Sequence, residues 1–376
     1  MEPFKNLLNA ALIEAAAHHL HRVWPGFDAG SFKRLALDGL GGLEMKARAM
    51  QITAALEATL PEDFGRAAEV LEASLGPAGT GDDLASLRTS EAGLAGWIVW
   101  PMSTYVARRG QGNPERALAA LHAMTQRFSA EWAIRSFIER HPELAFTTLR
   151  RWTKDPSAHV RRLVSEGSRP RLPWGLQLKA LIADPSPTLP LLEALQDDPS
   201  AYVRRSVANH LNDIAKDHPA PVADWLERHL PEAPATRQAL LRHASRGLVK
   251  GGDTRVLKAW GLGSPLRGTL DFSLAPKRIT LGESLRLTVS LSSNARRAQP
   301  LVIDYAVHHV KANGGTSPKV FKGWTMELLP GEQRQLVKQH PIRPITTRRY
   351  FSGVHRIEVL VNGAVMASAS FTLRVP

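Results

Sequence analysis

The segment DPSAHVRRLVSEG, residues 155–167, returns 43 residues later as DPSAYVRRSVANH, residues 198–210, with Asp, Pro, Ser, Ala, Val, Arg and Arg in the same order. A period of this length built from helix pairs is the signature of HEAT-like arrays, in which each unit buries its apolar face by stacking on the next. The residues suit that role. Asp is placed to cap the second helix of each pair and Pro to occupy its first turn, while Val160 with Val164, like Val203 with Val207, faces the neighbouring helix. The pairs Arg161–Arg162 and Arg204–Arg205 are then left toward solvent along one ridge. Outward from the repeat, HPELAFTTLRRW (141–152), PTLPLLEALQD (187–197) and APVADWLERHL (220–230) supply the intervening first helices. Further upstream, NPERALAALHAMTQRF (113–128) has Asn113 as N-cap, Pro114 at the first helical position, and an apolar stripe of Ala117, Leu118, Leu121, Met124 and Phe128.

Downstream the period changes. Gly261, Gly263, Pro265 and Gly268 mark a linker, after which alternating strands run to the C-terminus with LPGEQ (329–333) and VNG (361–363) as turns between them. The sequence therefore describes a mainly α protein, a HEAT-like α-solenoid over 1–265, followed by an immunoglobulin-like β-sandwich over 266–376. With 376 residues, two domains is also what the chain length favours. No cysteine is present, so disulfides, thiol nucleophiles and thiolate metal sites are excluded. No apolar run suits a membrane span or an export signal, and a soluble, unexported protein is expected.

The net charge is +13, and it is unevenly spread: from residue 268 onward 15 Lys and Arg face 6 Asp and Glu, which places +9 in the C-terminal third. A polyanionic partner is expected, and nucleic acid is the commonest. In the β-region the loop KANGGTSPK (311–319) carries Lys311, Asn313 and Lys319 around a Gly-rich turn suited to entering a groove. His308 and His309 alternate faces in the preceding strand, so that one of them reaches solvent and an anion; His309 is assigned that contact. Along the helical ridge Arg161, Arg162, Arg204 and Arg205, with Lys154 nearby, are spaced to track a phosphate backbone.

Phosphate-binding, dinucleotide-binding, metalloprotease and nucleophile-elbow motifs are absent, and the spacing of His18, His19 and His21 does not converge on a metal. Two acids stand out instead. Glu131 falls after Ser129 in FSAEWAIRSFIERHP, where a helix N-terminus favours a carboxylate and Arg135 at i+4 offers a partner. Glu166 lies in SEGSRPRLPW (165–174), in the last turn before Gly167, where the helix dipole disfavours an anion. Its counterpart in the second repeat is Asn209, so the fold does not require an acid there. Taken alone, Glu166 is either an ion-pair partner of Arg161, Arg162, Arg169 and Arg171 or an acid kept ionised for glycosidic-bond hydrolysis. Trp132, Trp152 and Trp174 flank the two acids, and Trp174 follows Pro173 in a loop where a ring can be exposed.

Four stretches together resemble the AlkC branch of the AlkC/AlkD alkylpurine DNA glycosylases: WPGFDAGSFKRLALDGLGGLEMKARAMQI (24–52), AEWAIRSFI (130–138), DPSAHVRRLVSEGSRPRLPWG (155–175) and HHVKANGGTSPKVFKGW (308–324). The resemblance implies a HEAT-like solenoid that wraps damaged duplex DNA and releases N3-alkylated bases such as 3-methyladenine and 3-methylcytosine. It also implies a C-terminal immunoglobulin-like domain that grips the DNA. By the same resemblance Glu131 and Glu166 are the catalytic acids, Trp174 and Trp132 the lesion contacts, and Arg169 and Arg171 backbone contacts. The chain departs from the family pattern at Trp132, where Phe is expected, and at Ser136, where Pro is expected. These implications amount to a monofunctional, cofactor-free and monomeric base-excision enzyme that works without full base flipping. The alternative left open by the residues is a non-catalytic HEAT scaffold for DNA or protein.

Overall fold

Each repeated segment leads into a helix, Ala158–Gly167 and Ala201–Ile214, in the computed structural model, which describes residues 3–345 and 348–376. Val160, Val164, Val203 and Val207 are all buried, as their spacing demands. The caps differ from expectation. Asp155 and Asp198 accept from the backbone N–H of Ser157 and Ser200 at 2.8 and 2.9 Å, closing an Asx turn ahead of the helix. The N-cap position belongs to the serine, and Ser200 Oγ accepts from Tyr202 and Val203. Pro156 and Pro199 thus lie outside the helix and stiffen its approach.

Residues 1–218 and 233–244 form one compact unit, and residues 219–232 and 245–376 the other. The first is helical throughout. Asn113 caps Pro114–Thr125 by accepting from Arg116, and the stripe from Ala117 to Phe128 is buried. No helix among the described residues is long and apolar enough to cross a membrane.

Among the described residues the second unit holds eight strands: β1 (Gly268–Ala275), β2 (Arg278–Thr280), β3 (Ser284–Ser293), β4 (Gln299–Val310), β5 (Thr316–Leu328), β6 (Gln333–Pro341), β7 (Gly353–Val361) and β8 (Ala364–Arg374). They make two sheets, β1-β3-β6 and β2-β8-β7-β4-β5. Period-two alternation puts Leu285, Leu287, Val289 and Leu291 of β3 into the space between the sheets, against Tyr305, Val307, Ile357, Val359, Phe371 and Leu373. Strands replace helices near residue 268, but the compact unit starts earlier. The helix ends touch the β7–β8 turn: a Cβ on Gly363 would lie 2.6 Å from Gly252 Cα, and Asn362 Nδ2 donates to Ser264 O at 3.0 Å. Asn362 and Gly363 both hold positive φ, the two-residue turn that Asn-Gly favours.

Candidate active site

Glu131 lies in the turn before the helix Ile134–Arg140, and Glu166 closes the helix Ala158–Gly167. The two elements meet at Gly167, where a Cβ would stand 2.4 Å from Ile134 Cγ2, so only glycine allows this approach. Arg162, one turn back from Glu166, joins the acids. Its Nη1 donates to Glu131 Oε2 at 2.6 Å, and its Nη2 lies 3.8 Å from Glu166 Oε1. Its guanidinium also sits 4.9 Å from the centre of the Tyr202 ring. The expectation that both arginines of each pair face solvent fails here, because two buried carboxylates draw Arg162 inward. Burial opposes its charge, but Glu131 and Glu166 outweigh the burial and raise its pKa.

Each carboxylate has a fixed set of donors. Ser129 Oγ donates to Glu131 Oε2 at 2.6 Å. Glu166 receives Arg169 Nη1 on Oε1 at 2.5 Å and Ser206 Oγ on Oε2 at 2.7 Å. Burial pushes the Glu166 carboxyl up, but Arg162 and Arg169 with these hydrogen bonds overcome it and hold the group below the ordinary carboxylate range. It is therefore ionised at neutral pH. Arg169 is itself anchored, since Nε and Nη2 both reach the buried Asp213 Oδ2 at 2.7 Å, and Lys216 reaches Asp213 Oδ1. Arg171 is bidentate to Asp217 at 2.7 and 2.8 Å.

Arg135 does not pair directly with Glu131. Fully buried, it donates to four carbonyl oxygens, of Gly167, Arg169, Pro170 and Leu176, at 2.6 to 3.3 Å. These acceptors comprise a helix end and the irregular loop after it, where, among the described residues, only Pro170 O also has a backbone donor, Leu178 N at 3.2 Å. Burial pushes the pKa of Arg135 down to about 10, still well above neutrality. The loop so held presents Trp174, which has φ of 62° and is 58% exposed. Trp100 stacks beneath it with planes 14° apart and centroids 6.4 Å apart, and Trp132 lies 4.6 Å from Trp100. Trp132 Nε1 donates to Pro173 O at 3.2 Å, tying the shelf to the loop. Two buried acids and an exposed aromatic ring thus belong to one hydrogen-bonded assembly.

The chain is similar to known proteins over its whole length. A family model described as DNA alkylation repair enzyme matches residues 122–248, and one described as the C-terminal Ig-like domain of the uncharacterised protein YhaZ matches 269–375. Bacillus subtilis (strain 168) YhaZ is 37% identical over 377 residues, covering 99% of both chains. The Pseudomonas fluorescens alkylpurine DNA glycosylase AlkC, solved bound to DNA containing an abasic site analogue, is 36% identical with a TM-score of 0.89, over 99% of this chain and all of that one. The chain belongs to the AlkC branch.

Within this AlkC-branch frame Arg162, Arg169 and Arg171 are paired with acids as described, and the remaining proposed DNA contacts fall into three groups. Lys154, Arg205, Lys311, Asn313 and Lys319 are exposed; Arg205 meets His243 Nδ1 at 3.1 Å, and the last three lie in the β4–β5 hairpin. Arg161 and Arg204 are spent on the protein: Arg161 grips Asp198 at 2.6 and 3.0 Å and caps the carbonyls of Asp155 and Pro156, and Arg204 caps those of Asp198 and Pro199. His309 is a correction. It is 5% exposed, its ring packs 5.5 Å from Tyr350 and 5.7 Å from His355, and burial with nearby Arg348 drives its pKa down to about 3. Strand alternation gives the outward, partly buried place to His308, which bonds Glu358 at 2.7 Å.

Sequence reasoning took Arg135 only as an ion-pair partner for Glu131 and passed over Ser206, Tyr202, Asp213 and Trp100. One of these left a trace. Ser206 stands where the first repeat has Leu163, which is fully buried, and a hydroxyl in an apolar register position signals a buried polar partner.

Proposed function

We propose that the protein is a monofunctional DNA glycosylase that hydrolyses the N-glycosidic bond of cationic N3-alkylated bases, 3-methyladenine and 3-methylcytosine, in duplex DNA. What carries the proposal is the pair of buried carboxylates joined by Arg162 in the assembly that presents Trp174. A base alkylated at N3 already bears positive charge, so it leaves neutral and no general acid is needed. What remains is to stabilise an oxocarbenium-like sugar and to direct a water at its anomeric carbon. Both oxygens of Glu166 are engaged, which suits a fixed negative charge. The bonds to Glu131 fall on Oε2, which leaves Oε1 to accept from the attacking water.

The exposed ring of Trp174 offers a shelf against which a lesion rests without full extrusion, and the electrostatic attraction of the acids favours charged over neutral bases. No lysine among the described residues bonds either glutamate, and Lys216 is committed to Asp213, in keeping with hydrolysis without lyase chemistry. Lys154, Arg205, Lys311, Asn313 and Lys319 supply backbone contacts that add affinity without reading sequence. The enzyme acts as a monomer on DNA in the bacterial cytoplasm.

Single-turnover release of both bases from methylated duplex DNA tests the proposal, with intact protein compared to Glu166→Gln and Glu131→Gln. Each variant is expected to keep DNA binding and to lose release by roughly a hundredfold or more, about 2.7 kcal/mol of barrier. Release by neither intact protein nor variants leaves a DNA-binding scaffold. Equal release by all three returns the acids to a structural role.

A further inference from the structure

The sandwich carries a second cationic feature that the Gly-rich loop does not account for. Arg267, Arg296 and Arg297 line a cleft of about 410 Å³ with Ser264, Gln299 and Leu301, and no acidic residue contributes to its lining. All three arginines are exposed. The backbone of Arg267 is held in place. Gln299 Oε1 accepts from Arg267 N at 2.8 Å, and Gln299 Nε2 donates to Arg267 O at 3.1 Å and to Ser293 Oγ at 2.9 Å. Asn294 N donates to Arg267 O at 2.9 Å, so the strand start and the β3–β4 loop form one bonded corner. The acids nearest in the pairing pattern lie outside the lining: Glu327 is opposite Pro300, and Glu332, whose carbonyl meets Ser293, is paired with Arg334.

Three exposed guanidinium side chains lining one cleft with no acid in the lining raise the local positive potential there, which favours an anion. The cleft sits at the Gln299 end of β4, whereas Lys311 and Asn313 follow its Val310 end, about 36 Å away along a strand of this length. One duplex contact at the Gly-rich loop therefore leaves this corner unused. We propose that Arg267, Arg296 and Arg297 form a separate phosphodiester-binding site that takes two or three phosphates of a nucleic-acid backbone. The planar fork of arginine suits phosphate oxygens, and the fixed corner lowers the ordering cost of binding. The proposal rests on the DNA-directed reading above and adds a site to it.

The test uses the full chain and an undamaged 30-base-pair duplex, with binding measured from 50 to 300 mM salt. The variant Arg267→Gln/Arg296→Gln/Arg297→Gln is expected to reduce the magnitude of the log affinity against log salt slope by roughly two to three, near 0.9 for each phosphate lost. Lys277→Gln/Arg278→Gln/Arg374→Gln, which removes the same charge from exposed positions of the same sandwich, serves as the control. A slope unchanged in the first variant, or reduced equally in both, overturns the site. Unfolding midpoints close to that of the intact protein verify that neither set perturbs the fold. Base release is measured in parallel. If intact protein releases no base, the catalytic reading fails while the slopes still decide the arginine site.

Discussion

Arg162→Met is the substitution that most directly separates the electrostatic design of the site from its packing. The methionine keeps much of the aliphatic volume but leaves Glu131 without its charged donor and Glu166 with Arg169 alone. Removing one partner of a buried ion pair costs roughly 3–5 kcal/mol. The helical unit contains 218 and 12 residues in its two stretches, a size at which 1 kcal/mol corresponds to about 2–4 °C. The midpoint for the helical unit should therefore fall by roughly 6–20 °C at neutral pH.

The pH dependence supplies the sharper test. In the intact protein the Glu166 carboxyl is held below its ordinary range, so its stabilising contribution is present above the unfolded pKa and is lost as pH falls through the folded one. Without Arg162 the burial that opposes ionisation gains ground, and a carboxyl raised above its unfolded value gives the opposite sign. Its contribution is then full at low pH and lost as pH rises. The stability gap between the two proteins should widen from pH 4 to pH 8, and the acid limb of the single-turnover rate should move to higher pH in the variant. Urea unfolding at both pH values and a rate profile from pH 5 to 9 measure this. A gap below about 1 kcal/mol at pH 8, with an unmoved acid limb, would refute the argument.

Three other outcomes follow from particular contacts. Arg135→Met strips the carbonyls of Gly167, Arg169 and Leu176 of their donor and should cost at least about 3 kcal/mol in urea unfolding, with loss of the ordered Trp174 loop visible as changed tryptophan fluorescence. His309 and His340, held by burial near about 3 and about 4, should make the sandwich acid-sensitive. Their contribution is present above the unfolded value of 6.5 and is lost as pH falls toward those folded values, about 1.4 kcal/mol for each histidine per pH unit, followed by the unfolding of the second unit. Trp174→Gly should be more stable than Trp174→Ala by up to about 1 kcal/mol, since glycine accepts the left-handed backbone, while both variants lose the ring and the base release that depends on it.

Much of this fold was legible because caps, turns and apolar spacing are local. Asn113 with Pro114 starts a helix, Asn362-Gly363 turns a hairpin, and the valines of the repeat are buried. The site was legible only as a set of residue types. Nothing local says that Arg162 crosses to Glu131, 31 positions away, or that Arg135 serves a loop more than 30 residues further on. His309 was misassigned because strand alternation fixes that two neighbours face opposite ways but not which way each faces.

The repeat itself separates what the fold needs from what the site needs. At an offset of 43, Arg161 corresponds to Arg204, and each caps the carbonyls of its own Asp-Pro turn. That use is the same in both copies, so the first arginine of the pair belongs to the architecture. The second arginines diverge. Arg205 remains exposed beside His243, whereas Arg162 is drawn between two acids, one of which, Glu166, corresponds to Asn209. Leu163 gives way to Ser206, which reaches back to Glu166. A polar donor on the second copy thus serves an acid on the first. An array held by repeated apolar contacts tolerates such exchanges because each unit's stability comes chiefly from its neighbours. By that logic, Arg161→Gln should weaken folding without a specific catalytic defect. Arg162→Met should impair both folding and the pH dependence of base release, and Asn209→Glu should leave both nearly unchanged, because Asn209 already bonds His243 outside the paired acids.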